Sequence, residues 1–407
     1  MKKKKLVIYG AFDRYNYGDN LMPIVFEDYL RKYESYILDE FDVIYSSICD
    51  SDLSRYDCLK TVAIRESFSQ LRNGDAILVA GGEVLCSKNS TLFLHMPRSK
   101  WKNDILTRIN RLPVLRDILN LYARYALACP WSYPYIPDQS KLADGVKVIY
   151  NTVGGSIMGL RKYKLSFNDI KSRLEKSDYL SVRDKRTVNN IDGIDSNLAP
   201  DSVHIISELY DEKFLQKKVR PEVKSMTEGD YICFQAAPNK IGENIVDVSN
   251  NLRLISANNN CRILLLPIGY ASGHDDEYYL RELHSHISDI SEIATDLTVW
   301  EIMYVIKEST AYLGTSLHGA ITALSFSKPH FGLNRKIIKL NDFLLDWSVP
   351  PFNRNYATDE IAKLGQPIKN IDLSGLQERV QINNSLIKEN FTNIVNCLNF
   401  SKGKNDD

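Results

Sequence analysis

The chain has 407 residues, too long for one ordinary core, and the length points to two domains or three. Lys and Arg number 51 and Asp and Glu number 51, so no overall field draws the molecule to nucleic acid or to an anionic membrane, and any polyanion site must be local. Seven cysteines (Cys49, Cys58, Cys86, Cys129, Cys233, Cys261 and Cys397) are odd in number and free of CxxC spacing, a pattern that expects reduced thiols in a cytoplasmic protein and argues against a disulfide framework or a zinc site.

Met1 and the lysines from Lys2 to Lys5 read as a solvated lead-in to a strand, because the apolar stretch after them ends at Gly10 and meets Asp13 and Arg14. No run reaches the length of a membrane span. Short apolar runs rich in β-branched residues then alternate with helical stretches, the pattern of a parallel sheet covered on both faces. In the first half the predicted strands are Leu6–Tyr9, Val43–Ser46, Ile77–Ala80, Val146–Asn151, Tyr179–Val182 and Val203–Ile206. The second half has Tyr231–Gln235, Arg262–Pro267, Ala311–Gly314 and His330–Leu333, with helices over 243–258, 276–287, 299–308 and 317–327.

The predicted fold class is therefore α/β, with two Rossmann-like doubly wound domains. Between them, Lys217–Asp230 loses the periodic pattern around Pro221, Thr227 and Gly229. The expected division is an N-terminal domain over 1–220, a C-terminal domain over 229–345, a segment over 346–400 and a frayed tail over 401–407. That segment reads as helical from Asp359 or Leu376 to about Leu398, and by analogy with glycosyltransferase-like folds it packs back across both domains.

Residues 91–140 break the alternation. The stretch 98–124 carries Arg98, Lys100, Lys102, Arg108, Arg111, Arg116 and Arg124 against Asp104 and Asp117, with Trp101, Trp131, Tyr133 and Tyr135 nearby. It reads as a basic, aromatic-rich helical insertion. Two readings stand open: a surface helix with a solvated charged face, or a lid, a saccharide-stacking surface or an attachment to anionic lipid head groups.

Ligands of a doubly wound sheet bind beyond the carboxyl ends of its strands, so the residues just after each strand carry the search for a site. After Leu6–Tyr9 comes Gly10–Asn20, where Gly18 permits a tight approach and Asp19 or Asn20 can cap the next helix; neither a GxGxxG fingerprint nor a P-loop lysine is present. After Ile77–Ala80 comes Gly81-Gly82-Glu83, either a plain tight turn or a backbone approach beside a carboxylate. Arg183, ending Tyr179–Val182, can meet a carboxylate or phosphate with two parallel hydrogen bonds, or simply pair with Asp184 or another acid. Gly154-Gly155 and Pro200-Asp201 are further turns of this kind.

The sharpest place is Gly314–Gly319. Ser316 can cap a helix too apolar to be exposed, and His318 lies in its first turn, where free amides and the dipole favour an anion. The bland reading is a core histidine satisfied by a carbonyl. No GxSxG elbow is present. A metal site is not expected either: His284 and His286 are two residues apart on a helix and diverge, and His274 sits in a loop that can cap the next helix.

Asn16-Tyr17-Gly18-Asp19, Gly81-Gly82, Val182-Arg183-Asp184, Pro200-Asp201 and Leu317-His318-Gly319, followed by Lys328-Pro329, form an ordered set that resembles the polysaccharide pyruvyl transferases over roughly residues 6 to 345. The resemblance implies two domains facing across a cleft in a GT-B-like arrangement, with the acceptor on the N-terminal side and the donor on the C-terminal side. It implies transfer of a pyruvyl group from phosphoenolpyruvate onto two sugar hydroxyls as a ketal. No cofactor is implied and no nucleic acid. The partners are the donor and a saccharide acceptor, with a lipid-linked acceptor and peripheral membrane contact through 91–140 as options.

Carried onto this sequence, the resemblance implies that His318 and Arg183 touch phosphoenolpyruvate and that Asp19 and the Gly81-Gly82 loop lie at the cleft; the chemistry then assigns His318 as anion ligand and general acid, Arg183 as clamp for the carboxylate or phosphate, and Asp19 or Glu83 as the base. It sets Asn16, Gly81, Gly82, Ser316, Leu317 and Gly319 around them. Many relatives have arginine directly before Leu-His-Gly, where Ser316 stands here, so the site is expected to depend more on Arg183, with Lys336, Lys339 and Arg335 as the candidates for the missing charge. A nucleotide-sugar glycosyltransferase and a noncatalytic saccharide-binding module are the rival readings.

Overall fold

A computed structural model describes residues 3–94, 106, 108, 112–158, 164–269 and 276–399. The first half builds a seven-stranded sheet from β1 (Lys4–Tyr9), β2 (Phe41–Ser47), β3 (Val62–Ala63), β4 (Ala76–Val79), β5 (Lys147–Val153), β6 (Tyr179–Val182) and β7 (Asn197–Leu198), in the order β3-β2-β1-β4-β5-β6-β7. Six strands, β8 (Tyr231–Gln235), β9 (Arg262–Leu265), β10 (Ser291–Ile293), β11 (Ala311–Gly314), β12 (His330–Leu333) and β13 (Asn355–Tyr356), make the second sheet, in the order β10-β9-β8-β11-β12-β13. Every pairing is parallel. The reason lies in the strands themselves: β4, β8 and β11 are buried along their whole length, so both faces must be covered by helices.

In each sheet the strand order reverses beside the first strand, between β1 and β4 and between β8 and β11. The loops leaving these strands therefore splay apart and open a crevice. The halves meet over that crevice. Tyr17 and Thr322 share a hydroxyl–hydroxyl hydrogen bond of 2.8 Å, Tyr15 donates to the Leu297 carbonyl at 2.9 Å, and the Trp347 indole donates to the Arg183 carbonyl at 2.7 Å. One apolar cluster runs through both halves, from Leu6 on β1 to Leu398 near the end of the last helix.

The helix Ser374–Asn399 lies back across the junction. Phe391 packs on Phe26 and Tyr29 at ring distances of 5.3 and 4.6 Å. Asn390 donates to Asn151 at 2.8 Å and Asn383 donates to the Trp347 carbonyl at 2.9 Å, so the helix is bonded to both halves.

Several expectations need correction. Val203–Ile206 is not a strand but a 3-10 turn, Ser202–Ile205, running into a helical turn, because Asp201 caps it by accepting from the Val203 amide at 3.2 Å. A short apolar run buried on all sides does not reveal its period. The edge strands β3, β7, β10 and β13 have two or three residues each, too few for a pattern. Residues 217–230 are not irregular throughout but hold the helix Pro221–Met226.

Within 91–140 a helix spans Pro113–Ala126, but Trp131 and Tyr135 are no stacking surface: both are buried against Tyr9, with ring distances of 6.1 and 5.4 Å. Arg98, Lys100, Trp101, Lys102, Asp104, Arg111, His274 and the tail 401–407 lie outside the described residues.

Candidate functional site

The loop after β1 carries the chain into the helix Tyr17–Tyr33. Asn20 fixes that entry from inside the helix, accepting from the Asn16 amide at 2.9 Å and donating to the Phe12 carbonyl at 3.1 Å. Asp19 is left in the first turn, half-buried, with no hydrogen bond or ion pair among the described residues. The neighbouring turn after β4 puts Gly81 and Gly82 at φ of +87° and +83°, a region L side chains avoid. The Gly82 carbonyl accepts from the Gly154 amide at 2.7 Å, which closes the floor of the crevice.

Arg183, 2% exposed, stands at the end of β6 and divides its guanidinium between two acids. Its Nη2 donates to Glu83 at 2.8 Å and its Nη1 to Asp201 at 3.1 Å. The second oxygen of Glu83 accepts from the Ser156 amide at 2.7 Å and its hydroxyl at 2.9 Å, so this carboxylate is fully engaged. Burial pushes the Asp201 carboxyl up, yet the facing His318 ring and the Arg183 guanidinium outweigh it and hold it at about 2.

His318 comes from the other half. Ser316 caps its helix, accepting from the Gly319 amide at 3.4 Å, while the Ser316 amide donates to Gln235 at 2.8 Å. Gly319 packs where a methyl group would lie 2.1 Å from the Tyr312 hydroxyl. The imidazole is 8% exposed and crosses to the first half: it lies against Gly18, and its Nε2 faces Asp201 at 3.6 Å, too far for a hydrogen bond.

These groups surround a cavity of about 180 Å³ whose lining includes Arg14, Asn16, Asp19, Gly81, Gly82, Glu83, Tyr135, Arg183, His318 and Lys339. Two buried polar atoms in that lining, His318 Nε2 and the Tyr135 hydroxyl, have no hydrogen-bond partner among the described residues. Such atoms are costly unless a ligand or water satisfies them. Lys339 likewise makes no hydrogen bond or ion pair among the described residues, and burial, then the nearby Arg183, pushes its amine down. Arg14 grips Asp13 through Nε at 2.9 Å and Nη2 at 2.7 Å; burial opposes its charge, but Asp13 outweighs burial and keeps it.

A smaller recess of about 40 Å³ shares Asn16, His318 and Lys339 and adds Gln235, Lys240, Asp276, Ser316 and Leu317. Burial and then Lys339 bring the Lys240 amine down to about 8. Burial raises the Asp276 carboxyl to about 6, although Gln235 donates to it at 2.8 Å and the Ile268 and Gly269 amides each at 3.2 Å.

The structure thus brings together Asn16, Asp19, Gly81, Gly82, Glu83, Arg183, Ser316, Leu317, Gly319 and His318. Of the three basic residues offered for the missing charge, it places Lys339 at the cavity. Lys336 is exposed, and Arg335 pairs with Glu360. Arg14, Tyr135, Gln235, Lys240 and Asp276 were not singled out as site residues. Arg14 stood inside a loop already marked, and Lys240 follows β8, whose carboxyl end the same strand-end rule covers. Among the described residues no group of three or more His, Cys, Asp or Glu can hold a metal ion, and no helix is long and apolar enough to cross a membrane.

The arrangement can hold a small anion among several cations and can move a proton through His318 or Asp19. Its fold recurs in solved structures. The Anabaena protein HepE in complex with UDP and glucose aligns with a TM-score of 0.53 at 9% identity, covering 97% of this chain and 99% of that one. S. aureus MnaA with UDP gives 0.52 at 14%, covering 97% and 95%. UDP-N-acetylglucosamine 2-epimerase from Rickettsia bellii gives 0.50 at 9%, covering 98% and 97%. At these identities the likeness is one of fold, the GT-B-like pair of Rossmann domains. No curated protein sequence matches the chain significantly. The sequence model of one family, the polysaccharide pyruvyl transferases, matches residues 16–336, a stretch that includes Asp19, Glu83, Arg183, Asp201 and His318. By that match across most of its length, the chain belongs to the polysaccharide pyruvyl transferase family.

Proposed function

We propose that the protein transfers the pyruvyl group of phosphoenolpyruvate onto two hydroxyls of a saccharide, giving a ketal and inorganic phosphate. The observation that carries this reading is the charge pattern of the cavity. Lys339 and His318 Nε2, both without a hydrogen bond among the described residues, and Arg14 converge on about 180 Å³, which suits a small, multiply charged donor. Sites for drug-sized ligands run to roughly 300–1,000 Å³, which weighs against a nucleotide sugar here. Family membership supports pyruvyl transfer to polysaccharide in general, and the donor is the finer step.

The chemistry divides among the residues present. Protonation of the donor's methylene carbon makes its central carbon electrophilic, one sugar hydroxyl adds, phosphate leaves, and a second hydroxyl closes the ketal. His318 is the proposed acid and anion ligand, with Lys339 and Arg14 beside it for the carboxylate and phosphate. Asp19 is the better base of the two candidates, because both oxygens of Glu83 are already bonded to Ser156 and Arg183. In this scheme Arg183 acts mainly by holding Glu83 and Asp201 in place and by adding positive potential. Ser316, at the position of a relative's arginine, serves as the helix cap.

The test is thermal unfolding with phosphoenolpyruvate or with UDP. A ligand held only by the native state adds about 2.7 kcal/mol of stability at a hundred times its Kd. A rise in Tm with phosphoenolpyruvate and none with UDP is expected. A rise with UDP alone would transfer the site to nucleotide-sugar chemistry and end this proposal.

A further inference from the structure

The helix Pro113–Ala126 has an apolar face that the described residues leave largely exposed. Leu119 and Ala123 are buried, but Leu115, Ile118, Leu121, Tyr122 and Tyr125 are 40%, 61%, 60%, 60% and 85% exposed. At 3.6 residues per turn these five side chains form one stripe about 120° wide, separate from the buried stripe. Scattered exposed apolar residues are ordinary, whereas a continuous stripe of large ones marks a surface that docks.

We propose that this stripe docks on an anionic lipid bilayer, with the helix lying in the plane of the head groups. Charge selects that occupant. The sequence from 98 to 124 carries seven basic residues against Asp104 and Asp117, although the whole chain is neutral. Arg108 is exposed, and Arg116 and Arg124 are on the helix itself. A second copy of the chain carries the same basic excess in this stretch of sequence, so like charge works against self-pairing. Anionic head groups complement it, and leucine, isoleucine and tyrosine suit the depth of about 5–10 Å to which interfacial helices sink.

Position gives the docking a purpose. The helix packs on its neighbour Asn89–Leu94 through the Ser90 amide, which donates to Asn120 at 3.1 Å, and through the Phe93 and Tyr122 rings at 5.5 Å. Thr91 and Leu92 of that neighbour line the cavity. A bilayer under the stripe therefore lies one helix away from residues that line the cavity, a position that suits a lipid-linked acceptor. That consequence rests on the proposed function; the docking does not.

Cosedimentation of the full chain with vesicles, without substrate, tests it. Vesicles of phosphatidylcholine with about one third phosphatidylglycerol should bind the protein, and those of phosphatidylcholine alone should bind it roughly tenfold less. The double variant Ile118→Glu, Leu121→Glu should keep the wild-type Tm, since both positions are exposed, and lose roughly tenfold or more of the binding. Absence of wild-type binding overturns the proposal, and so does equal binding by the variant. A dimer in analytical ultracentrifugation that the variant splits would assign the stripe to a second copy instead. None of these readouts involves phosphoenolpyruvate, so failure here and failure of the donor assignment are distinguishable.

Discussion

Gly18→Ala is a small change with an expected large effect on the site. A methyl group there would lie 1.8 Å from His318 Cγ, 1.9 Å from Nδ1 and 2.5 Å from Cβ. Carbon atoms rest at about 3.5–4.0 Å, so something must retreat by about 2 Å. The atoms struck are at the root of the side chain, and a swing of the ring tip does not relieve them. Either His318 leaves its rotamer or the helices part, against the Tyr17–Thr322 hydrogen bond and the Tyr17 amide donating to the Ile268 carbonyl at 3.4 Å.

Overpacking costs about 1–3 kcal/mol, and replacing glycine in a helix returns up to about 1 kcal/mol, so the net loss of stability is about 0–2 kcal/mol. Binding is hit harder. Losing one hydrogen bond to a charged ligand costs about 1.5–3 kcal/mol, which raises Kd by roughly 10- to 150-fold. Calorimetric titration with phosphoenolpyruvate, alongside urea unfolding, reads both quantities. A Kd equal to the wild-type value, in a variant that folds, would refute the contact between His318 and the donor.

Arg183→Gln takes from Glu83 and the fully buried Asp201 the guanidinium they share and should cost about 3–5 kcal/mol in urea unfolding; Arg183→Lys should not restore it, because one ammonium does not span both acids. Lys339→Met should fold normally and lose the stabilisation by phosphoenolpyruvate, whereas Lys336→Met should retain it; equal behaviour of the two in a thermal-shift assay would remove Lys339 from the donor site. Asp276 supplies a pH test. Its folded carboxyl titrates at about 6 against an ordinary value of about 3.9, so the native state keeps a proton that the unfolded chain has released. The stability this proton gives is complete below pH of about 4 and declines as pH rises through about 6. Asp276→Asn should flatten that decline, and unfolding curves at pH 4, 6 and 8 with the same slope as wild type would contradict it.

Much of the fold was legible because parallel strands advertise themselves: β1, β4, β8 and β11 are short apolar runs, and the helices over 276–287 and 299–308 have strong periods. What stayed illegible was decided by neighbours. Val203–Ile206 became a turn because Asp201 caps it, and the edge strands exist because a partner pairs with them. Within the site, Asp19, Glu83, Arg183 and His318 were all visible at strand ends. Their unequal circumstances were not. Glu83 is saturated by Ser156 and Arg183 while Asp19 makes no hydrogen bond or ion pair among the described residues, and no spacing in the sequence distinguishes those two carboxylates.

The sequence alone determined which loops can meet a ligand, since a doubly wound sheet has only one edge at which ligands bind. It also determined that a histidine would open a buried helix after β11. The tertiary structure decided the rest, because a site built across two domains has no single local pattern: His318 faces Asp201 from 117 residues away along the chain, and it fits there because Gly18, in the helix Tyr17–Tyr33, has no side chain. Lys339 reaches the cavity and Lys336 does not for the same reason. Lys336 stands in the turn before the helix Ile338–Trp347 and Lys339 in its first turn, and only packing determines which of them faces the cavity.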